Sequence, residues 1–210
     1  MRSRPRASAE VPAGRAPAAW GSTLLRAARE AETLDAEIYA TIAGTPSPTL
    51  DAGMRRLSRA ADFSRLWGVT AGVLAVGGGS AGRRAAGHGL VALGLASAVT
   101  NQGLKRIGRR PRPDRIETAV PLARLVPLPE STSFPSGHAA SAFAFATAAG
   151  QALPVAGGPL RVLAALVAYS RVHTGVHYPG DVVAGALVGS TTGGLVAALA
   201  ARRRRQRASR

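Results

Sequence analysis

Five apolar segments, almost free of charge and separated by basic stretches, constrain this chain more than any other feature of its sequence. Leu66 to Gly82 carries no charge, and Ala85 to Leu104 carries only His88. A third charge-free run extends from Ser131 to Leu160, and within it Gly137 to Leu153 reads as a crossing. Val162 to Ser170 is brief, but Arg161 and Arg171 at its ends can snorkel. Val182 to Ala201 has the roughly 20 residues that a helix needs to cross a bilayer, and it ends in Arg202, Arg203, Arg204 and Arg205. The expected fold is therefore all-α, an integral membrane bundle of about five transmembrane helices preceded by N-terminal amphipathic helices. Small residues recur at spacing four in Gly68/Gly72 and Gly185/Gly189/Gly193, which predicts close helix approach. The run Gly77-Gly78-Gly79 is read the same way rather than as a phosphate cradle.

The net charge of +16, from 27 Lys+Arg against 11 Asp+Glu, calls for an anionic partner. Arginines crowd the two ends and the loop from Lys105 to Arg124, a distribution that suits anionic lipid at a membrane rather than a nucleic-acid face. At 4% aromatic residues, stacking platforms for single-stranded nucleic acid are also scarce. The absence of cysteine excludes disulfides, thiolate metal sites and a thiolate nucleophile. No acidic metal cluster is visible either, so neither metal nor cofactor is expected.

Along the chain, residues 1–19 read as a disordered basic tail rich in Arg, Ala and Pro. Residues 20–64 read as amphipathic interfacial helices, because Glu30, Glu32, Asp35 and Glu37 make a crossing costly and Met54, Leu57 and Ala61 share a face. Residues 65–201 form the transmembrane domain, and 202–210 a basic C-terminal tail.

Three polar clusters lie at the ends of apolar segments. Lys105 and Arg112-Pro113 follow the second; Pro135-Ser136-Gly137-His138 opens the third; Ser170-Arg171, His177 and Asp181 bridge the fourth and fifth. Antiparallel neighbouring spans would bring all three to one side of the membrane. Lys105, Arg112 and Arg171 could supply fixed cations to a phosphoryl group, the arginines as bidentate forks. Taken singly, each could equally be an interfacial anchor, and Arg106, Arg109, Arg110 and Arg115 keep that plainer reading. Pro135 suits a first helical turn, which would leave the N–H groups of Ser136 and Gly137 open to an anion and set His138 beside it as a general acid. Asp181, four residues after His177, could hold one ring nitrogen and leave the other to attack phosphorus. Alternatively, His138 is structural, His177 solvated and Asp181 a helix cap. His88 and His173 lack such a setting and are read as structural.

The order Lys105-x6-Arg112-Pro113, Pro135-Ser136-Gly137-His138, Ser170-Arg171-x5-His177-x3-Asp181 resembles the three-part signature of the type 2 phosphatidic acid phosphatase (PAP2) superfamily, over roughly Leu66 to Ala201. The resemblance implies an all-helical bundle, metal-independent hydrolysis of a phosphomonoester or diphosphate, and a phosphohistidine intermediate. By the same match, Lys105, Arg112, Ser136, Gly137 and Arg171 bind phosphate, His138 protonates the leaving group, His177 attacks and Asp181 orients it. The family often has six crossings, against five here. The expected substrate is a lipid-linked phosphate, with a polyprenyl phosphate or diphosphate of cell-envelope synthesis ahead of a glycerolipid phosphate. A vanadate-dependent haloperoxidase and a non-catalytic lipid-binding protein are the alternatives. The expected location is the plasma (inner) membrane. The arginines after the last span draw that end to the cytoplasm and place the clusters outside, although the cluster side carries more basic residues in total.

Overall fold

The computed structural model describes residues 18–209, with side chains from residue 21 onward, so the expected disordered tail 1–19 lies almost wholly outside the described residues. Helix α1 (Ala18–Gly44) and α2 (Pro48–Ala60) precede α3 (Arg65–Gly77) and α4 (Gly79–Ala98). The last of these continues through a π-helical stretch, Val99–Leu104, into the short α5 (Lys105–Ile107). After a long loop come α6 (Gly137–Ala152), α7 (Pro154–His173) and α8 (Pro179–Ala208). No strand occurs among the described residues.

The centre of the bundle is α6, which packs against α4, α7 and α8. Its alanines at 139, 140, 142, 144, 146, 148 and 149 are buried on every side, and Phe145 packs on Trp67 with ring centroids 5.1 Å apart. Such small side chains let neighbouring backbones approach. On α8 the spacing-four glycines face α6: a Cβ on Gly185, Gly189 or Gly193 would run into the carbonyl oxygens of Ser136, Ala140 or Ala144. The close packing expected of that series is therefore present. It is absent at Gly68 and Gly72, which have open space around them and point away from the bundle. Gly78 and Gly82 pack together where α3 turns into α4, and Gly79 takes a left-handed φ of 56° there.

Outward faces are apolar: Val69, Val73, Val91, Leu95, Val162, Val183, Leu187 and Leu195 are all exposed. Among the described residues α7 and α8 have the length and apolarity of bilayer crossings. The fourth segment is thus longer than the run from Val162 to Ser170. Gly157, Gly158 and Pro159 look like breakers in the sequence, yet Gly157 packs against Gly150 of α6 and the helix continues through them. At the other end, α8 extends through Arg202–Arg205 to Ala208, so the basic C-terminal segment is a helical extension.

The chain divides into units 1–34 and 35–210, and the division falls within α1. In the first, residues 21–34 are exposed; in the second, Asp35, Tyr39 and Ala43 are buried. Helix α2 packs against α7 and buries Asp51 and Ser58, whereas Met54 and Leu57 are only half-buried. Its polar face turns inward because partners wait there. Asp51 accepts hydrogen bonds from Arg124 Nε at 2.8 Å and His173 Nε2 at 2.9 Å. Arg124 also donates to the carbonyls of Ile42, Ala43 and Thr45, fixing the α1–α2 corner.

Substituting Gly189→Ala is expected to destabilise the bundle by about 1–3 kcal/mol through overpacking against Ala140. Gly194→Ala, where nothing lies within 4 Å, should be neutral or slightly stabilising. Thermal unfolding in detergent distinguishes them, and equal shifts for both would remove the packing explanation.

Candidate active site

The three polar clusters converge on one cavity of about 270 Å³, lined by Lys105, Arg112, Ser131, Gly137, His138 and His177 and flanked by Trp67 and Asn101. Its position follows from the helix order. The second apolar segment ends at Lys105, α6 begins at Gly137, α7 ends at His173 and α8 begins at Pro179, all at the same end of the bundle.

His177 lies in the α7–α8 turn, where Gly175 adopts a φ of +66°. Its Nε2 stands 3.4 Å from Arg112 Nη1, a permanent donor, so the lone pair belongs on Nε2. That leaves the proton on Nδ1, which lies 3.4 Å from Asp181 Oδ2. The same oxygen accepts a hydrogen bond from Tyr178 N–H at 2.9 Å and one from the Ser133 hydroxyl. Asp181 Oδ1 accepts from Arg110 Nη1 at 3.1 Å. The carboxylate is therefore fixed from several directions while buried, as an uncompensated buried charge could not be. Burial holds His177 well below the usual imidazole range, at about 4, outweighing the opposite pull of Asp181. At neutral pH the ring is uncharged and its Nε2 lone pair is available.

Arg110 corrects the plainer reading of the loop arginines. It bridges Asp181 and Asp35, at 2.6 Å from Asp35 Oδ2, and stacks over the Tyr178 ring with 4.0 Å to the centroid. Asp35 in turn accepts from Gly180 N–H at 2.7 Å. Arg115 is likewise internal, donating to the carbonyls of Gly175 and Val126. Nothing in the sequence separates these two from Arg106 and Arg109, since their partners come from α1 and from the α7–α8 turn.

Lys105 Nζ donates to Ser131 Oγ at 3.0 Å. Burial, reinforced by Arg112 and Arg171, pushes its ammonium down to about 8. Arg112 directs Nε and Nη2 to carbonyls of residues 129, 131 and 132 and Nη1 to Val176 O at 2.8 Å, so most of its fork holds the loop. Arg171 is 1% exposed, and its Nη1 donates to Ser58 Oγ at 2.6 Å. Its Nε is buried with no partner, an edge suited to an anion.

The α6 terminus differs in register from expectation. Pro135 lies outside the helix, Ser136 is the N-cap and Gly137 the first helical residue. The Ser136 hydroxyl accepts from Ala139 N–H at 3.4 Å and the residue is buried, so its side chain caps the helix, while Gly137 and His138 face the cavity. His138 Nε2 lies 3.0 Å from Asp62 Oδ1, and Arg171 Nη1 lies 3.4 Å from the same oxygen. Sequence reasoning missed Asp62 and Ser133: Asp62 sits in the α2–α3 turn and Ser133 just before the α6 motif, both outside every motif. His173 pairs with Asp51 outside the residues lining the cavity.

The sequence profile of the PAP2 superfamily matches residues 85–205, more than half of the chain. This protein belongs to the PAP2 superfamily. A Mycobacterium tuberculosis protein named decaprenylphosphoryl-5-phosphoribose phosphatase is 43% identical over 105 residues, covering 50% of this chain and 55% of the relative. The chain thus spans about half the length of that curated relative. The Mycolicibacterium smegmatis protein of the same name is 37% identical over 150 residues, 70% of this chain and 77% of the relative. Among solved structures, Aquifex aeolicus LpxE superposes with a TM-score of 0.61 at 28% identity, covering 76% of this chain and 92% of LpxE. The transmembrane PAP2-type phosphatidylglycerolphosphate phosphatase from Bacillus subtilis superposes with a TM-score of 0.64 at 23% identity, covering 82% and 87%. The all-α integral membrane bundle is thus the PAP2 fold, and Lys105 to Asp181 all lie within the matched residues.

In this PAP2 cavity the charge on Lys105 is lost as pH rises through about 8, while Arg112 stays cationic. Inorganic phosphate, already dianionic above neutrality, is expected to bind more weakly by up to about tenfold per pH unit beyond that point. Lys105→Arg should abolish the decline. Calorimetry in detergent measures it, and an unchanged decline in the arginine variant would exclude Lys105 as its source.

Proposed function

We propose that this protein is a membrane phosphatase that hydrolyses a lipid-linked phosphate, polyprenyl-linked in preference to a glycerolipid, through a phosphohistidine intermediate. The observation that carries this reading is the His177 ring. Its Nε2 lone pair is turned to Arg112 and the cavity while Nδ1 faces the buried Asp181, so nucleophile and cation address the same space. The polyprenyl preference rests on the mycobacterial relatives, whose names specify a decaprenylphosphoryl substrate.

In the proposed reaction Lys105, Arg112 and the free edge of Arg171 hold the phosphoryl oxygens, joined by the N–H groups at the start of α6. Positive charge fixed in place needs no reorganisation as charge spreads over those oxygens in the transition state. His177 Nε2 forms the bond to phosphorus as the ester bond breaks, and His138 gives a proton to the departing oxygen. Water then attacks the phosphohistidine, returning its proton to His138 and releasing phosphate and neutral His177. Asp181 holds the ring in the attacking tautomer and offsets its positive charge in the intermediate. Side chains supply every cation in this scheme, so turnover should persist in excess chelator; loss that magnesium restores would refute it.

Purified protein in detergent, assayed for phosphate release from polyprenyl and glycerolipid phosphates, tests activity and substrate class together. His177→Ala should abolish turnover and any covalent phosphoenzyme. His138→Ala should lose about a hundred- to ten-thousand-fold on a lipid phosphate but much less on nitrophenyl phosphate, whose leaving group needs little protonation. Acid-labile phosphate trapped on the His177→Ala protein would overturn the assignment.

The proposed location is the plasma membrane with five crossings and the cavity on the extracytoplasmic side, supported by Arg202–Arg205 at the opposite end of α8. The chain has no cysteine, so Ser209→Cys gives a single label site. It should resist a membrane-impermeant maleimide in intact cells, and reaction there would reverse the orientation.

A further inference from the structure

We propose that Asp62 is a positioning residue for His138, completing a second histidine–carboxylate pair across the cavity from His177–Asp181; this rests on the phosphatase reading above. The contact is His138 Nε2 to Asp62 Oδ1 at 3.0 Å, from the α2–α3 turn to the first turn of α6, residues 76 apart in sequence.

The geometry assigns the ring's protons. A carboxylate accepts only, so Nε2 carries a proton and Nδ1 is the nitrogen left to exchange one with the reacting oxygen. In the first step the Nδ1 proton passes to the leaving oxygen and His138 becomes the neutral Nε2–H form, still held by Asp62. In the second, attacking water returns a proton to Nδ1 and the imidazolium re-forms beside the carboxylate. Asp62 stays ionised throughout and keeps the ring in one tautomer and orientation, the service Asp181 renders to His177.

Two further observations set Asp62 apart from a chance surface contact. Phe63 and Ser64, directly after it, both adopt left-handed backbone, with φ of 55° and 59°. For residues with a Cβ this conformation is unfavourable and persists only where surrounding structure enforces it. In this turn Phe63 is 88% exposed, whereas the Asp62 side chain, 32% exposed, reaches His138 and Arg171. Asp62 also lies 3.4 Å from Arg171 Nη1, so one carboxylate oxygen fixes the proposed acid relative to a proposed phosphate ligand. An enzyme that must deliver a proton to the oxygen leaving a phosphorus held by Arg171 needs that relation kept constant.

The test compares Asp62→Asn and Asp62→Ala with wild type on a lipid phosphate and on nitrophenyl phosphate. Loss of about tenfold or more in kcat is expected on the lipid phosphate, within the range of general-acid effects, with little loss on the activated ester. In a His138→Ala background, Asp62→Asn should cost nothing further, because its effect passes through the ring. Asp62→Glu should recover part of the loss. Equal loss on both substrates, or a full additional loss in the double variant, would assign Asp62 to Arg171 or to folding and overturn the proposal. So would unchanged kcat on the lipid phosphate. Nitrogen-15 NMR of histidine-labelled wild type, with His138→Ala for assignment, reads the ring directly and independently of turnover. Neutral His138 is expected as the Nε2–H form, and the Nδ1–H form would overturn the proposal even in an active phosphatase. If wild type releases no phosphate from any substrate, the failure lies with the phosphatase reading instead.

Discussion

The backbone contact between α6 and α8 underlies everything at the cavity. Because Gly185, Gly189 and Gly193 present no side chain to the carbonyls of Ser136, Ala140 and Ala144, the two helices lie closer than any other residue type would permit. Their first turns are consequently joined, with Ser136 N–H donating to Asp181 O at 2.9 Å. His138 on one helix and the His177–Asp181 pair at the head of the other are brought to one space by this approach. In hydrocarbon there is little hydrophobic gain in joining apolar helices, so close van der Waals contact and backbone proximity must supply the association.

A second constraint is electrostatic. A buried carboxylate or guanidinium is tolerated only when its hydrogen-bonding capacity is met, and the bundle meets it by drawing partners from distant parts of the chain. Asp181 is held by Ser133, Tyr178 and Arg110; Arg110 is shared with Asp35 of α1; Asp51 of α2 joins Arg124 and His173. The segment before α3 contributes Asp35, Asp51, Ser58 and Asp62, each bonded to a group at the cavity end of the bundle. From residue 35 onward that region packs on the bundle through Asp35, Asp51 and Asp62, which pair with Arg110, Arg124 and His138. Two guanidiniums keep an imbalance: Arg115 has a buried Nη2 without a partner, and Arg171 has one edge tied to α2 and Asp62 while its buried Nε has none.

Apolar runs, a signature of spaced Lys, Arg, Ser, His and Asp residues, and small-residue periodicity were enough to read the helical membrane bundle, the PAP2 family and the cavity-lining Lys105, Arg112, Gly137, His138 and His177. These properties are local: a span needs length and apolarity, and a signature needs order and spacing. The same local reading failed where context reverses a residue's meaning. The fourth segment is expected from Val162 to Ser170, but α7 starts at Pro154 and runs on through Gly157 to Pro159, with Gly157 packed against Gly150. Gly68 and Gly72 match the packing spacing yet face open space. The Ser136 N–H, expected to be open to an anion, instead donates to Asp181 O at the head of α8.

What only tertiary structure decided is which charged groups meet. Arg110 and Arg106 are indistinguishable as members of a basic loop, and Asp62 is one carboxylate in a turn without a motif; the partners of Arg110 lie 75 and 71 residues away, and those of Asp62 lie 76 and 109. Pairing of that kind depends on how helices converge in three dimensions and leaves no periodicity in one. The chain's pattern therefore determined by itself that it crosses a membrane as helices and carries a phosphate-type signature, whereas the orientation of His138, His173 and His177 was settled by carboxylates that the folded bundle alone brings within reach.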